Sequence, residues 1–481
     1  MNRTLITNYK MKNKFSYLML FALLAMEASA KVKMPEILSD NMVLQQNTKV
    51  KLWGDADPNK TVTVKASWNY QNFRTQSDKD GKWLLWIPTP SASYENREIS
   101  ISDGEKVTLK NILIGEVWFC SGQSNMEMPL NGFWNCPILN ANETIANAGQ
   151  NKGVRFATIP KTPAFTPQTS CAGKWQVCNP ETAAWFSATA YHFATALNRA
   201  LDVPVGVINC SWGGSKVESW TNREILETYK DIDLSKEGIN QVQEYLRPLV
   251  MYNGMLKPLT NYTIKGFLWY QGESNVGMHD TYAQRLAKMV ELWRKDWGLG
   301  NLPFYSVEIA PYQYGEGEWG AYLREAQYKA QSLIPNSGMI STNDLVEEYE
   351  AANIHPKNKT LVGKRLSYMA LANTYGYKTV ACNGPEYKSM EIKDGKAYLS
   401  FNYTQDGFSR EKGITGFEIA GTDKIFHPAN AIADLDKKII VVSSEEVKVP
   451  VAVRYCFRNF QIGNIYNNRE LPMIPFRTDN Y

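Results

Sequence analysis

A chain of 481 residues is longer than one hydrophobic core can serve, so two or three domains are expected. Its 44% hydrophobic and 21% charged residues are those of an ordinary soluble protein. Setting aside residues 1 to 30, with Arg3, Lys10, Lys12, Lys14 and Glu27, lowers the formal charge from +4 to +1, which argues against nucleic acid or an anionic membrane as partner.

The N-terminus places those four basic residues before the apolar run "FSYLMLFALLAM", followed by Ala28-Ser29-Ala30. This is the pattern of a secretory signal peptide over 1–30, too short in its apolar part for a membrane span. The expected product is exported, periplasmic or extracellular. No later segment approaches about 20 uninterrupted apolar residues, so no membrane span is expected in the mature chain. Export permits disulfides, and Cys171 with Cys178 would close a short loop. The seven cysteines leave at least one thiol unpaired. Cys120 and Cys210 end apolar runs and read as buried free thiols. Neither a CxxC pair nor a His-rich cluster points to a metal site.

From 31 to 110 short β-rich stretches ("KVKLWG", "TVTVKASW", "WLLWIPT", "REISISD") alternate with turns, which predicts an antiparallel β-rich accessory region. From 111 to 374 apolar runs alternate with helical patterns, which predicts an α/β domain with a parallel sheet flanked by helices. The stretch "TYAQRLAKMVELWRKDW" sets Tyr282, Leu286, Met289, Trp293 and Trp297 on one helical face. The stretches "AAWFSATAYHFATALNRAL" and "TLVGKRLSYMALAN" also read as helices. From 375 to 481 β character returns, as a second accessory region. The 14 Trp and 26 Tyr have two readings, as sugar-binding ring faces or as filling for β cores.

Ligands of an open parallel sheet bind outside the carboxyl ends of its strands. Four apolar runs turn polar or Gly-rich at their ends: "VWFCSGQSNM", "VINCSWGGSKVESW", "FLWYQGESN" and "ISTNDLVEEYEAANIHPKNK". Ser124 on the first is either a helix N-cap or a nucleophile, and as a nucleophile it needs a base and oxyanion donors. Gly213 and Gly214 on the second form a tight turn or bring backbone amides to an oxyanion. The third offers the amides of Gln271 and Asn275, with Glu273 able to orient them or bind substrate. The fourth carries His355, the one histidine of four that follows the last α/β strand. His192, His279 and His427 lie in a helix, a loop and the C-terminal β region.

Together these segments resemble the SGNH-hydrolase superfamily, and within it the sialate O-acetylesterase family. "GEVWFCSGQSNMEMPL", "SWGGS", "WYQGESN" and "IHPKNK" look like its nucleophile, glycine, third and histidine blocks. "LSDNMVLQQ" and "LPMIPFRTD" extend the resemblance to almost the whole mature chain. It implies a flavodoxin-like parallel sheet and a serine carboxylic-ester hydrolase that needs no cofactor and no metal. It further implies Ser124 as nucleophile and His355 as general base. The Ser124 amide, a Gly213 or Gly214 amide and the Gln271 side chain would form the oxyanion hole. Gln123, Asn125, Asn275 and Arg324 are the candidates for substrate contact, Arg324 for a sialate carboxylate. The implied substrate is an O-acetylated sialic acid or sialoglycan, with the ester at the 9-position. Acetylated xylan or another acetylated glycan is the alternative, and a noncatalytic glycan-binding relative is the third reading.

One departure stands out. The family carries Asp two residues before the histidine, where this chain has Asn353. An asparagine can hold an imidazole tautomer but gives no ionic stabilisation to imidazolium. Asp344, Glu347, Glu348, Glu350 and Glu273 are the candidate substitutes, and a Ser–His dyad without an acid is the other outcome. Oligomeric state is not legible in the sequence.

Overall fold

The apolar runs of the central region are the strands of one sheet. The computed structural model of the protein describes residues 32–481, so the expected signal peptide lies outside the described residues. Strands β1 (Lys106–Gly122), β2 (Val154–Thr158), β3 (Trp175–Val177), β4 (Val205–Ser211), β5 (Gly266–Tyr270), β6 (Phe304–Val307) and β7 (Ser337–Ile340) lie in the order β7-β6-β5-β1-β4-β2-β3. Every pairing is parallel except that of β2 with the edge strand β3. The order reverses around β1, which makes its carboxyl end the switch point of the sheet.

Helices α1 (Ser124–Glu127), α2 (Ala188–Leu201), α3 (His279–Trp297), α4 (Trp319–Leu333) and α5 (Lys359–Asn373) connect the strands. The period of two along the strands divides them between two cores. Trp118, Cys120, Leu268, Tyr270, Tyr305 and Val307 pack with Phe193 and Leu197 of α2 and Leu366 and Met369 of α5. Phe119, Phe267, Trp269 and Phe304 face the other way, toward α3 and α4. All five residues of the expected α3 face are buried there. Trp293 and Trp297 stack edgewise on Trp269 and Phe119 at 5.5 and 5.2 Å. At roughly 1.5–3 kcal/mol for each large apolar side chain buried, that face is what holds α3 to the sheet.

The strand β1 runs on across position 110, where the sequence suggests a boundary. Its first half pairs with Ser93–Ser102 and Val43–Gln45, and its second half is the middle of the parallel sheet. The N-terminal β residues Val50, Leu52, Ile99 and Ile101 accordingly share one apolar core with α3 and α4. The C-terminal strands form two four-stranded antiparallel sheets around a core of their own. Among the described residues all seven cysteines are unpaired, including Cys171 and Cys178, and no helix is long and apolar enough to cross a membrane.

Register brings the tips together. Gly122 at the end of β1 sits opposite Ser211 of β4 on one side and Tyr270 of β5 on the other. The Gln123 N–H then donates to the Tyr270 carbonyl, and Trp212 N–H to that of Gly122, each at 3.0 Å. Gly122 has φ +138°, and a Cβ there would stand 2.1 Å from the Tyr270 carbonyl oxygen. Only glycine permits both the conformation and the approach. Gly122→Ala is expected to destabilise the fold by at least about 1–3 kcal/mol from backbone strain, read as a lower urea midpoint. An unchanged midpoint would show that the tip tolerates a side chain.

Candidate active site

Ser124 opens α1 immediately beyond the β1 tip, half-buried, and its hydroxyl makes no hydrogen bond among the described residues. Gln123 is the N-cap, and it offers no side-chain cap. Its amide oxygen instead accepts the N–H groups of Gly272 and Ser274 at 3.2 and 3.3 Å, which ties the first tip to the third.

Asn125 ties the first tip to the fourth. Its amide nitrogen donates to Glu273 Oε1 at 2.6 Å and to the Ile354 carbonyl at 3.0 Å, and its oxygen accepts from Lys359 Nζ at 2.7 Å. Ser124 and His355 are thus each next in sequence to a residue of the Asn125–Ile354 bond. Lys359 is fully buried, donates also to the Pro356 carbonyl at 2.9 Å, and lies over the Tyr270 ring. Burial pushes its pKa down to about 7, against the pull of Glu273 and Glu350. Burial likewise raises the Glu273 carboxyl above its usual range, and Glu273 Oε2 has no hydrogen-bond partner among the described residues.

His355 is half-buried, and its pKa is lowered to about 4 by burial and then by the Lys359 charge. Both influences disfavour imidazolium, and no carboxylate offsets them. The ring is therefore neutral at pH 7, as a general base must be. Nε2 is buried and makes no hydrogen bond among the described residues. Nδ1 stands 3.8 Å from Cys136 Sγ, and the Phe133 ring packs edgewise on the imidazole at 5.3 Å. The Asn353 side chain does not reach the ring, and its oxygen accepts the His355 backbone N–H at 3.0 Å. The other histidines are occupied elsewhere. His192 meets Thr360, His279 stacks on Tyr322, and His427 pairs with Glu446.

Several expected roles need correcting, because the groups are spent on holding the tips. The Gln271 amide donates to the Ser215 carbonyl and to Asn275 Oδ1, at 3.0 and 2.7 Å, leaving no hydrogen for an oxyanion. Asn275 accepts there, takes the Val217 N–H, and donates to Glu218 Oε2. Neither it nor Asn125 is free for substrate, and Gln123, its oxygen spent on the third tip, keeps only its amide nitrogen, 3.5 Å from Ser274 Oγ. Arg324 is buried, bonded to Asn343 Oδ1 at 3.1 Å and to the Cys456 and Arg458 carbonyls, so it clamps the C-terminal region to α4. Asp344 is locked in a two-bond ion pair with Arg365, both bonds 2.7 Å, and is no partner for His355. Glu350 accepts the N–H groups of Glu347 and Lys357, and Glu273 turns to Asn125.

Gly213 does lie against the serine, since a Cβ on it would stand 3.3 Å from Ser124 Cβ. Its N–H, however, donates to Glu127 Oε2 at 2.6 Å, and Glu127 Oε1 pairs with Lys161. The Ser124 and Gly214 N–H groups make no hydrogen bond among the described residues and are the donors left open. No cluster of three or more His, Cys, Asp or Glu there is placed to hold a metal ion. Glu127, Lys359, Phe133 and Cys136 all escaped the sequence reading. The first two lie inside the quoted blocks, three and four residues after Ser124 and His355. Nothing in the spacing of "GFWNC" marks the other two.

A parallel α/β sheet with serine and histidine on adjoining tips is the ground plan of a hydrolase, and the comparisons specify it. A carbohydrate acetylesterase from Xanthomonas citri superposes with a TM-score of 0.84 at 31% identity, covering 94% of this chain and all of that one. The human sialate O-acetylesterase is 27% identical over 422 residues, 80% of this chain and 79% of its own length. The mouse enzyme of that name is 25% identical, across 95% of this chain and 96% of its own. The protein is a carbohydrate esterase. It belongs to the sialic acid-specific acetylesterase family, whose model matches residues 114–372.

Breaking the Asp344–Arg365 pair leaves a buried guanidinium without its anion, which costs about 3–5 kcal/mol. Asp344→Asn is therefore expected to lower the urea midpoint while leaving the shape of the pH–rate profile unchanged. A changed acid limb with native stability would instead make Asp344 the acid partner of His355.

Proposed function

We propose that the protein hydrolyses O-acetyl esters of sialic acids, at the 9-position, with Ser124 as nucleophile and His355 as general base. The observation that carries this reading is the neutral His355, its Nε2 unbonded, on a loop pinned beside Ser124 through Asn125. Catalytic hydrogen bonds are often open in the free enzyme and close around substrate. Ser124 Oγ attacks the acetyl carbonyl as His355 Nε2 takes its proton. The Ser124 and Gly214 amides receive the oxyanion. His355 returns the proton to the departing sugar hydroxyl, and water then cleaves the acetyl-enzyme by the same route, releasing acetate. The N-terminal pattern of basic then apolar residues supports export as part of this reading.

The burial of Arg324 favours a second substrate reading, a neutral acetylated glycan such as xylan, because the expected partner of a sialate carboxylate is spent inside the protein. Trp134 points the same way. It is 89% exposed at the tip of the turn whose base touches His355, and its ring face is free to stack on a pyranose.

Acetate release from 9-O-acetylated sialic acid, acetylated xylan and an aryl acetate tests both. Turnover is expected on the sialate substrate, with Ser124→Ala lowering it by at least about 10³-fold in a native fold. Turnover on xylan alone would move the substrate assignment. No turnover on any of the three would retire both substrate readings and move the assignment to another acetylated carbohydrate. The pH profile gives an independent check. A base whose pKa is lowered stays neutral to lower pH, so the acid limb of kcat/KM is expected near pH 4. A limb at the ordinary histidine value, about 6.5, would show that burial and Lys359 do not hold the imidazole below its usual range, and a limb unchanged in His355→Ala would contradict the assignment of His355.

A further inference from the structure

The two ring nitrogens of His355 have unlike surroundings. Nε2 is buried and unbonded, while Nδ1 lies 3.8 Å from Cys136 Sγ. The same sulfur stands 3.5 Å from Asn353 Oδ1, which also accepts the His355 backbone N–H at 3.0 Å. That backbone N–H can only donate, so it identifies the Asn353 atom facing it as the oxygen. An amide oxygen can only accept, and at 3.5 Å it is the nearer of the two acceptors, so the thiol hydrogen is assigned to Asn353. With that assignment the sulfur offers Nδ1 only lone pairs, which places the ring proton on Nδ1. The donations run from His355 Nδ1–H to Cys136 Sγ–H to Asn353 Oδ1. They leave the lone pair on Nε2, the nitrogen a general base uses.

The turn that supplies Cys136 is built to hold this position. Phe133 and Cys136 exchange backbone hydrogen bonds, each 3.0 Å, and Leu130 and Asn131 are tied to the carbonyls of Phe186 and Ala184. Phe133 meets the imidazole edgewise while Cys136 meets its Nδ1, so one rigid turn touches the ring at two points. The charged group that bears on the ring is Lys359, a cation.

We propose that Cys136 is the positioning residue of His355, fixing the tautomer that general-base catalysis requires at the place where the family's aspartate is replaced by Asn353. The proposal rests on the reading of Ser124 and His355 as nucleophile and base. A thiol does half of the aspartate's work. It orients the ring and sets its proton, but as a neutral group it does not stabilise imidazolium. The chain therefore keeps a working base without an acid, provided the thiol is present.

The test compares Cys136→Ala with Cys136→Ser, whose hydroxyl preserves one donor and the lone pairs. Cys136→Ala is expected to lower kcat by between about 10- and 10⁴-fold with KM little changed, the upper end being the cost of a wrong tautomer in a serine-protease triad. Cys136→Ser is expected to restore most of the rate. Nitrogen-15 NMR of histidine-labelled protein, which has only four histidines, reads the tautomer directly. The Nδ1-protonated form is expected in the wild type and in Cys136→Ser, and a mixture in Cys136→Ala. A wild-type rate and tautomer in Cys136→Ala would overturn the proposal. So would a Cys136→Ser variant as slow as Cys136→Ala at a native urea midpoint, since that would make the sulfur mere packing. The NMR readout needs no turnover, and Ser124→Ala retaining full rate would sink the nucleophile reading instead. The two failures are thereby distinguishable.

Discussion

The site depends on one side-chain amide. Asn125 has two hydrogens and one acceptor oxygen, and each faces its complement: the Glu273 carboxylate, the Ile354 carbonyl and the Lys359 ammonium. Hydrogen bonds to charged groups are worth roughly 1.5–3 kcal/mol each, and a buried charge left without one costs more. An aspartate here would turn an oxygen toward the Glu273 carboxyl and the Ile354 carbonyl, and an apolar residue would strand Lys359. Through this one group the Ser124 tip, the third tip and the His355 loop hold one geometry. Gln123 repeats the device on the outer side by taking two N–H groups of the third tip.

That arrangement explains why so many polar residues of the motif blocks are turned inward. Four strand ends meet at one edge, and each carries unpaired backbone groups that burial would penalise. Gln271, Asn275, Gln123 and Asn125 satisfy them and each other. The density of amides in these blocks is a property of a buried junction, and the proposed chemistry uses the few groups that remain open: the Ser124 hydroxyl, two backbone amides and His355 Nε2.

Electrostatically the site favours an uncharged base. Burial, and then the charge of Lys359 four residues after His355, keep a proton off the imidazole, while Glu273 is spent on Asn125. A carboxylate at position 353 would counter that repulsion, and asparagine does not. The turn Phe133–Cys136 then becomes the neighbour that matters for the ring, although it lies more than 200 residues away in sequence.

The sequence by itself determined the α/β class, the strand ends that meet and the apolar face of α3, because hydrophobic period and run length are local properties. It also singled out Ser124 and His355 for the roles proposed for them, since a serine after a strand-ending glycine and a histidine after the last strand are visible in one dimension. It misread Gln271, Asn275, Arg324 and Asp344, for a polar residue beside a motif looks the same whether it faces a ligand or a neighbour. Arg324 was read as a contact for a sialate carboxylate, yet only the docking of the C-terminal region decides that its donors go to Cys456 and Arg458. Glu127 on the Gly213 amide, Lys359 beneath Asn125 and Cys136 against His355 exist only once the tips converge. Hydrogen-bond partners are chosen by distance in space, and a strand order that reverses around β1 brings together residues that no spacing along the chain connects.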